Sequence, residues 1–258
     1  MFPRILLSVV FLFGLLGSVL SAGELGITRD TSLGADVQAY NSKCTFITQP
    51  SDAEFLKMIE AAFQEMQALP GTRKEKAGRP AAMIGLSIDN EVYFSSSVKG
   101  MNDNPLIYQK VAWRDGKGEL NPQLASGLQE VTDALTACST PENKQHGNQA
   151  SCGELMSSLL WLVDNQGESL AAHHAKVAAY YSKGYLPPCH AIDESDTSSQ
   201  KWGCSSWTRK VGLAVVGKIE SLPADFPRPV STQSLMLQQC LVKEVKQDET
   251  DQNQLPGL

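Results

Sequence analysis

The stretch SCGELM at residues 151–156 places a cysteine, Cys152, two residues before a glutamate, Glu154. Apolar residues then recur as far as residue 163, which predicts a helix over residues 152–164 with an apolar body suited to lying under a sheet. The positive end of a helix dipole lowers the pKa of a nearby thiol. We therefore expect Cys152 to form a thiolate readily at the start of this helix.

Two further cysteine elements follow, Pro188-Cys189 and Gly203-Cys204. The order C-x-E, P-C and C resembles the zinc-dependent nucleoside and nucleic-acid deaminase superfamily, whose members carry a [HC]-x-E element and a P-C-x-x-C element. Cys152 and Glu154 match the first element, and Pro188-Cys189 matches the start of the second. The chain differs from the family at position 192, where no cysteine is present, so the third cysteine, Cys204, follows a long insertion.

The resemblance implies a metal site and a catalytic residue. Cys152, Cys189 and Cys204 would bind Zn²⁺, which keeps one position for water and lowers the pKa of that water to about 7. Glu154 would take a proton from the water and deliver it to the ring nitrogen and the leaving ammonia. The implied protein is a zinc-dependent hydrolytic deaminase acting on a nucleobase, a nucleoside or a single-stranded nucleic acid.

The order of predicted elements agrees with the same resemblance. Residues 51–69 combine a capping box with a helical apolar pattern, and residues 81–97 contain two β-rich runs around a turn pair. A strand is predicted from residue 175, and a last helix over residues 231–246. A helix, a hairpin and a C-x-E helix in this order imply an α/β fold, namely a three-layer α/β/α, cytidine-deaminase-like mixed sheet flanked by helices.

The composition divides the chain into four segments. Residues 1–22 combine a charged start, an apolar run and closing small residues, which predicts a signal peptide and a secreted, extracellular protein without a membrane anchor after cleavage. Residues 23–43 show neither helical nor alternating periodicity, and residues 23–50 are interpreted as an N-terminal arm, loose or ordered on docking, whose end Cys44 fixes. Residues 51–246 form the deaminase-like domain, and residues 247–258 a disordered acidic tail.

Charge narrows the expected partners. The formal net charge is −6, which disfavours a broad phosphate-binding surface. The densest basic cluster, residues 73–79, is local and is predicted to be a solvated loop. The expected substrate is therefore a small nucleobase or nucleoside, or a short single strand, rather than duplex nucleic acid.

The histidines are assigned lesser roles. His146 belongs to a polar loop and is expected to be solvated, as are His173 and His174 at the surface. His190, next to Cys189, is the better candidate for a substitute metal ligand.

Three alternatives stay open at this point. Ser151 and Glu154 also fit a capping box, in which Glu154 only stabilises the start of the helix. Six cysteines in a secreted chain favour three disulfides, and hence a disulfide-stabilised, non-catalytic binding or effector protein, such as a toxin, on the same scaffold. The third alternative is a thiol hydrolase that uses Cys152 and a histidine.

Overall fold

The computed structural model describes residues 23–101, 105–109, 114–115, 117–120, 128–141, 143–189 and 202–237. The predicted signal peptide, the predicted acidic tail and most of the insertion between Cys189 and Cys204 lie outside the described residues. Within the described ranges, no helix has the length and apolar character that crossing a membrane requires.

Eight strands and five α-helices are found in the described part of the chain. The strands are β1 (Thr28–Arg29), β2 (Tyr40–Thr45), β3 (Ala82–Ile88), β4 (Glu91–Ser96), β5 (Lys176–Tyr181), β6 (Gly184–Leu186), β7 (Ala214–Val215) and β8 (Ser231–Gln233). The helices are α1 (Asp52–Ala68), α2 (Arg73–Gly78), α3 (Gln129–Cys138), α4 (Gly153–Asp164) and α5 (Cys204–Lys210).

The strands form a sheet in the order β1-β2-β4-β3-β5-β6, in which β8 also pairs with β2 and β7 with β5. All these pairings are antiparallel except that of β5 with β7, which are parallel because the connection through α5 returns the chain to the same end of the sheet. The architecture is mixed α/β, with an open, mainly antiparallel sheet flanked by helices. This confirms the predicted fold class in its general form.

Helices cover both faces of the sheet. Alternate residues of a strand point to opposite faces, and in β3 the residues Met83 and Gly85 face α1, whereas Ile84 and Leu86 belong to the core that contains α4. The predicted hairpin therefore forms as β3 and β4, with one apolar core on each side. Because both faces are buried, this hairpin is the rigid centre on which α1 and α4 are placed.

The helix α1 agrees with its prediction. Ser51 and Glu54 form the complete capping box at its start, and its apolar residues are buried against the sheet. Its final carbonyls, which have no partner within the helix, are satisfied by the buried guanidinium of Arg79. That guanidinium donates to the carbonyl oxygens of Gln67, Leu69 and Pro70.

Residues 73–79 differ from the predicted solvated loop. Residues Arg73–Gly78 form the short helix α2, whose start is capped by Thr72 and Glu75 in a second capping box. The cap outweighs the polar composition because it satisfies the free amide groups of the first turn. Arg79 follows directly and is 6% exposed, so the end of this basic cluster belongs to the protein interior.

The structure corrects the interpretation of residues 23–50 as a loose arm. They contribute β1 and β2, and β2 pairs with β4 from Asn41 to Thr45. The carboxylate of Glu65 on α1 accepts hydrogen bonds from the amides of Leu25 (3.0 Å) and Ile27 (2.7 Å), which fixes the start of the segment. Cys44 fixes its end without a disulfide, since its buried thiol donates to the carbonyl of Leu25.

The helix predicted over residues 231–246 does not start at residue 231, because Ser231–Gln233 form the strand β8. Leu237 is helical, and residues 238–246 lie outside the described residues. The carboxylate of Asp30 accepts hydrogen bonds from the amide of Leu237 (2.6 Å) and from the side chain of Asn41 on β2 (3.2 Å). Pairing with β2 and with Asp30 therefore overrides the local helical pattern. The early and the late parts of the described chain meet at the same strand.

Gly153, the first residue of α4, lies against the sheet. A Cβ atom at this position would be 2.6 Å from the carbonyl oxygen of Ser95 on β4 and still closer to Ile84 Cδ1 on β3. The middle residue of the C-x-E element is therefore a glycine because the start of α4 touches the sheet backbone.

We predict that Gly153→Ala lowers the free energy of unfolding by about 1–3 kcal/mol, the usual cost of overpacking a core. Urea denaturation of both proteins measures this difference. Gly78→Ala is the matched control, since a Cβ at that helical position meets Gln38 Cγ at an ordinary 3.8 Å. An equal stability of Gly153→Ala and the wild type would contradict the contact with β4.

Candidate metal centre

Three cysteines that are far apart in sequence converge at the starts of α4 and α5. Cys152 is the N-cap residue of α4, Cys204 is the first residue of α5, and Cys189 follows β6. A hydrogen bond from the amide of Val98 to the carbonyl of Ser151 (2.9 Å) holds the start of α4 beside the end of β4. The structure thus brings together the three cysteines that the resemblance implied as metal ligands.

A fourth side chain, His146, completes the group. The Sγ atoms of Cys152 and Cys189 are 3.5 Å apart, and Cys204 Sγ is 3.4 Å from His146 Nε2. All four potential ligand atoms lie within 4.8 Å of one another. Zinc–ligand bonds of about 2.0–2.3 Å in a tetrahedron separate neighbouring ligand atoms by roughly 3.5–3.8 Å. These four residues, called the metal cluster below, can therefore hold a metal ion.

Hydrogen bonds orient the ligand atoms of the metal cluster. The amide of Cys204 donates to Cys189 Sγ (3.3 Å), and the Asn148 side chain donates to Cys152 Sγ (3.7 Å). His146 Nδ1 contacts the carbonyl oxygen of Gly147, which directs Nε2 towards Cys204. Such outer contacts fix the tautomer and the direction of histidine ligands in metal proteins.

The three thiols share their protons unequally. Hydrogen bonds from the Cys152 and Cys204 thiols hold the pKa of Cys189 well below its usual range. Donation to Cys189 raises the pKa of Cys152, and burial raises that of Cys204. The structure thus differs from the expectation that Cys152 readily forms a thiolate, because its hydrogen bond to Cys189 raises its pKa.

Glu154 lies next to the metal cluster and is 6% exposed. Burial raises the pKa of its carboxyl group to about 7, and the Cys204 thiol interacts with it. The capping-box interpretation of this residue was wrong: the N-cap of α4 is Cys152 rather than Ser151, and no side-chain hydrogen bond caps the helix. Capping of the helix therefore does not explain why the carboxyl group of Glu154 is buried here.

His146 was predicted to be solvated and is instead 2% exposed. Its amide donates to the hydroxyl of Tyr108 (2.9 Å), and its ring meets that of Trp202 edge to face, with centroids 5.1 Å apart. Both partners are distant in sequence, so the polar composition of the loop concealed the burial. Its position six residues before Cys152 was the only local signal. His190, the preferred substitute ligand, lies outside the described residues.

The described cysteines give no support to a disulfide framework. Cys44, Cys138, Cys152, Cys189 and Cys204 are all free thiols, and Cys240 lies outside the described residues. The raised pKa of Cys152 also disfavours its use as the activated nucleophile of a thiol hydrolase, which requires the thiolate.

A cavity of about 390 Å³ borders the segment that carries His146. It is lined by residues including Tyr108, Lys117, Leu135 and Lys144, and no member of the metal cluster contributes to its wall. Tyr108 connects the two places, because it lines the cavity and its hydroxyl accepts the hydrogen bond from the amide of His146.

His173, predicted to be a surface residue, is partly exposed and paired with two acids. Its ring nitrogens are each 3.1 Å from a carboxylate oxygen, one of Asp89 and one of Glu168. The hydrogen bond to Glu168, followed by that to Asp89, raises the pKa of His173. The ring also packs edge to face on Trp161 of α4, with centroids 5.3 Å apart.

We predict a pH-dependent contribution of His173 to stability. A raised folded-state pKa means that the contribution is fully present below the unfolded-state pKa of about 6.5 and is lost as the pH rises through the folded value. Unfolding free energies of the wild type and His173→Gln should therefore differ most at low pH and converge at high pH. Glu168→Gln removes one of the two carboxylates that raise the pKa of His173, so it should also reduce the additional stability at low pH. Parallel pH profiles of the wild type and His173→Gln would contradict the assignment.

We also predict about one bound metal ion per chain in protein purified without chelator. Elemental analysis of the purified protein measures it. Cys189→Ser should lose the ion, because removing one thiolate leaves an incomplete site, whereas Cys138→Ser, a free thiol outside the metal cluster, should keep it. A metal-free wild type, or full occupancy in Cys189→Ser, would show that the cluster is not a metal site.

In comparisons with known proteins, no family model, no curated protein and no solved structure matches this chain. The likeness to the zinc deaminases therefore rests on Cys152, Glu154, Cys189 and Cys204, and on the order of the elements around them.

Proposed function

We propose that the metal cluster is the zinc centre of a secreted hydrolytic deaminase that acts on a nucleobase, a nucleoside or a short single-stranded nucleic acid. One observation carries the proposal: Cys152, Cys189 and Cys204 converge beside the buried carboxylate of Glu154. Zinc deaminases use such a set of groups: three protein ligands, which can all be thiolates, and an adjacent glutamate that is not a ligand.

The arrangement of elements supports the proposal. The hairpin β3–β4 is followed by α4 with the C-x-E element, and β5 then pairs antiparallel with β3. The chain next passes Cys189, begins α5 at Cys204 and returns as β7, parallel to β5. This is the three-layer, cytidine-deaminase-like arrangement that we propose as the finer description of the fold.

Zinc is the metal that this donor set favours. Thiolates are soft ligands that select zinc and other thiophilic metals over magnesium or calcium, and imidazole also suits zinc. When bound, zinc supplies a water of lowered pKa at neutral pH. Cys152, Cys189 and Cys204 would hold the ion.

Glu154 moves the protons in the proposed reaction. Hydrolytic deamination replaces an amino group of the base ring by an oxygen atom from water and releases ammonia. A carboxylate oxygen of Glu154 accepts one proton from the attacking water and delivers it to the ring nitrogen. It then accepts the second proton, from the hydroxyl now bonded to the ring carbon, and delivers it to the amino group, which leaves as ammonia while the ring carbon becomes a carbonyl. Its place in the first turn of α4, beside Cys204, puts the carboxylate within reach of the metal cluster.

The placement of the basic residues supports a small substrate. The guanidinium of Arg79 is occupied by three backbone carbonyls, so it is not available to phosphates. Lys74 is exposed but lies 4.0 Å from Asp36. Binding of a long duplex normally needs several free cationic contacts, and the net charge of −6 opposes it.

A second candidate function is a non-catalytic binding or effector protein that the metal stabilises. The observation that favours it is the number of donors: structural zinc sites are closed by four protein ligands, whereas catalytic sites keep one position open. The buried Glu154 favours the catalytic candidate, because a purely structural site does not need an acid buried beside its metal ligands.

Glu154→Gln separates the two candidates. We predict a folded, metal-loaded protein whose deaminase rate falls roughly 10²-fold or more, because the amide retains the shape but cannot accept the proton. Ammonia release from nucleobases, nucleosides, single strands and duplexes, each at two salt concentrations, provides the measurement.

Glu54→Gln is the matched control, since it alters a glutamate in the first turn of α1 and should change stability rather than rate. Wild-type activity in Glu154→Gln would remove this residue from the mechanism. A zinc-loaded wild type that releases no ammonia from any of these substrates would favour the non-catalytic candidate.

A further inference from the structure

We infer that His146 is a displaceable fourth ligand of the metal centre, which closes the site at rest and must leave it before a substrate can be processed. The substrate in this inference is the one named in the proposed function, on which this part of the inference rests. The ligand role of His146 does not depend on that function. It assigns a regulatory role to a residue outside the C-x-E and P-C elements.

The position of His146 fits a ligand. Its Nε2 atom is 3.4 Å from Cys204 Sγ and lies within 4.8 Å of the sulfur atoms of both other cysteines. The contact of its Nδ1 with the carbonyl of Gly147 keeps the imidazole turned in this direction. With three sulfur atoms and this nitrogen bound, all four positions of a tetrahedral ion are taken.

Two of the three cysteines lie at helix starts, and the third is hydrogen-bonded to one of these starts. Cys152 and Cys204 belong to the first turns of α4 and α5, and the amide of Cys204 also binds Cys189 Sγ. These contacts fix the three sulfur atoms to the sheet and to each other. A change at the fourth position would therefore leave the metal in place.

His146, in contrast, precedes a turn in a strained conformation. Asn148, Gln149 and Ala150 have φ values of 56°, 56° and 55°, so three consecutive residues other than glycine adopt the left-handed region. Each of them carries a steric penalty there. Such strain persists only when surrounding contacts maintain it, and it is released when those contacts are given up.

Two hydrogen bonds to distant segments help to maintain the turn. The amide of His146 binds Tyr108, and the amide of Gly147 binds the carbonyl of Trp202 (2.6 Å). Tyr108 also lines the adjacent cavity. Loss of these two hydrogen bonds would free the backbone of His146 and Gly147 and allow the imidazole to withdraw from the metal, while the three sulfur atoms stay bound.

The consequence is a closed and an open state of the same centre. If the closed state predominates, the measured rate is the intrinsic rate multiplied by the open fraction. Removing the imidazole should therefore accelerate the reaction, and stabilising the turn should slow it.

X-ray absorption spectroscopy of the zinc-loaded wild type tests the ligand role. We expect three sulfur atoms and one imidazole in the wild type, and loss of the imidazole scattering in His146→Ala with all three sulfur atoms retained. His173→Ala, which removes a histidine outside the metal cluster, should leave the spectrum unchanged. A wild-type spectrum without imidazole would overturn the inference, whatever the activity, and would remain decisive if His146→Ala did not fold.

Chemical rescue tests displaceability. Free imidazole added to cobalt-substituted His146→Ala should restore the absorption spectrum of the cobalt-substituted wild type. Without imidazole, the zinc-loaded His146→Ala variant should deaminate at least about threefold faster than the wild type. Added imidazole should suppress this deamination. Gln149→Gly, which removes a penalty of the left-handed turn, should keep the imidazole ligand and lower the rate.

The outcomes separate the two proposals. An imidazole ligand in a protein that never releases ammonia leaves the ligand role standing and removes the deaminase. Deaminase activity that is equal or lower in His146→Ala overturns the closing role and leaves the deaminase standing.

Discussion

The start of α4 lies so close to the sheet that its first residue has no room for a side chain. Gly153 touches the backbone of β4 and the side chain of Ile84, and this contact sets the height of the whole first turn above the hairpin. Cys152 and Glu154, on either side of the glycine, are thereby placed at the edge where α5 begins with Cys204. The metal cluster depends on this one close approach, because a shift of α4 would separate Cys152 from the ligands carried by the other elements.

Assembling the metal cluster has a thermodynamic cost that a metal ion can offset. Three thiols and a carboxylate are gathered in a poorly hydrated place, and burial raises the pKa of both Glu154 and Cys204. Such groups repel one another when ionised and lose hydration in either state. A bound cation reverses the balance, since it attracts the same negative charges. The free energy of binding such an ion would therefore add to the free energy of folding around α4 and α5.

Strong periodic patterns were readable in the sequence, and contacts between distant segments were not. The helices α1 and α4 carry apolar residues at the helical period, and the hairpin consists of two β-rich runs around a turn pair, so local pattern sufficed. The strand β2 was not predicted because Asn41 and Ser42 are both polar and both buried. The sequence of β2 therefore lacks the alternation of apolar and polar residues that indicates a strand. Arg79 and His146 were taken for solvated residues since their partners come from elsewhere in the chain. The three cysteines converge as the resemblance implied, whereas only the folded structure shows that His146 lies beside them.

The strand β2 has a further consequence for how the protein is made. One edge of β2 pairs with the hairpin, while its other edge is shared by β1 and β8, and Asn41 reaches the carbonyl of Leu235, 194 residues away. This edge stays incomplete during synthesis until the last part of the described chain emerges. An unpaired edge is a template for intermolecular pairing, and pairings of such long range form slowly. Nascent or truncated chains should therefore depend on chaperones to keep β2 from aggregating.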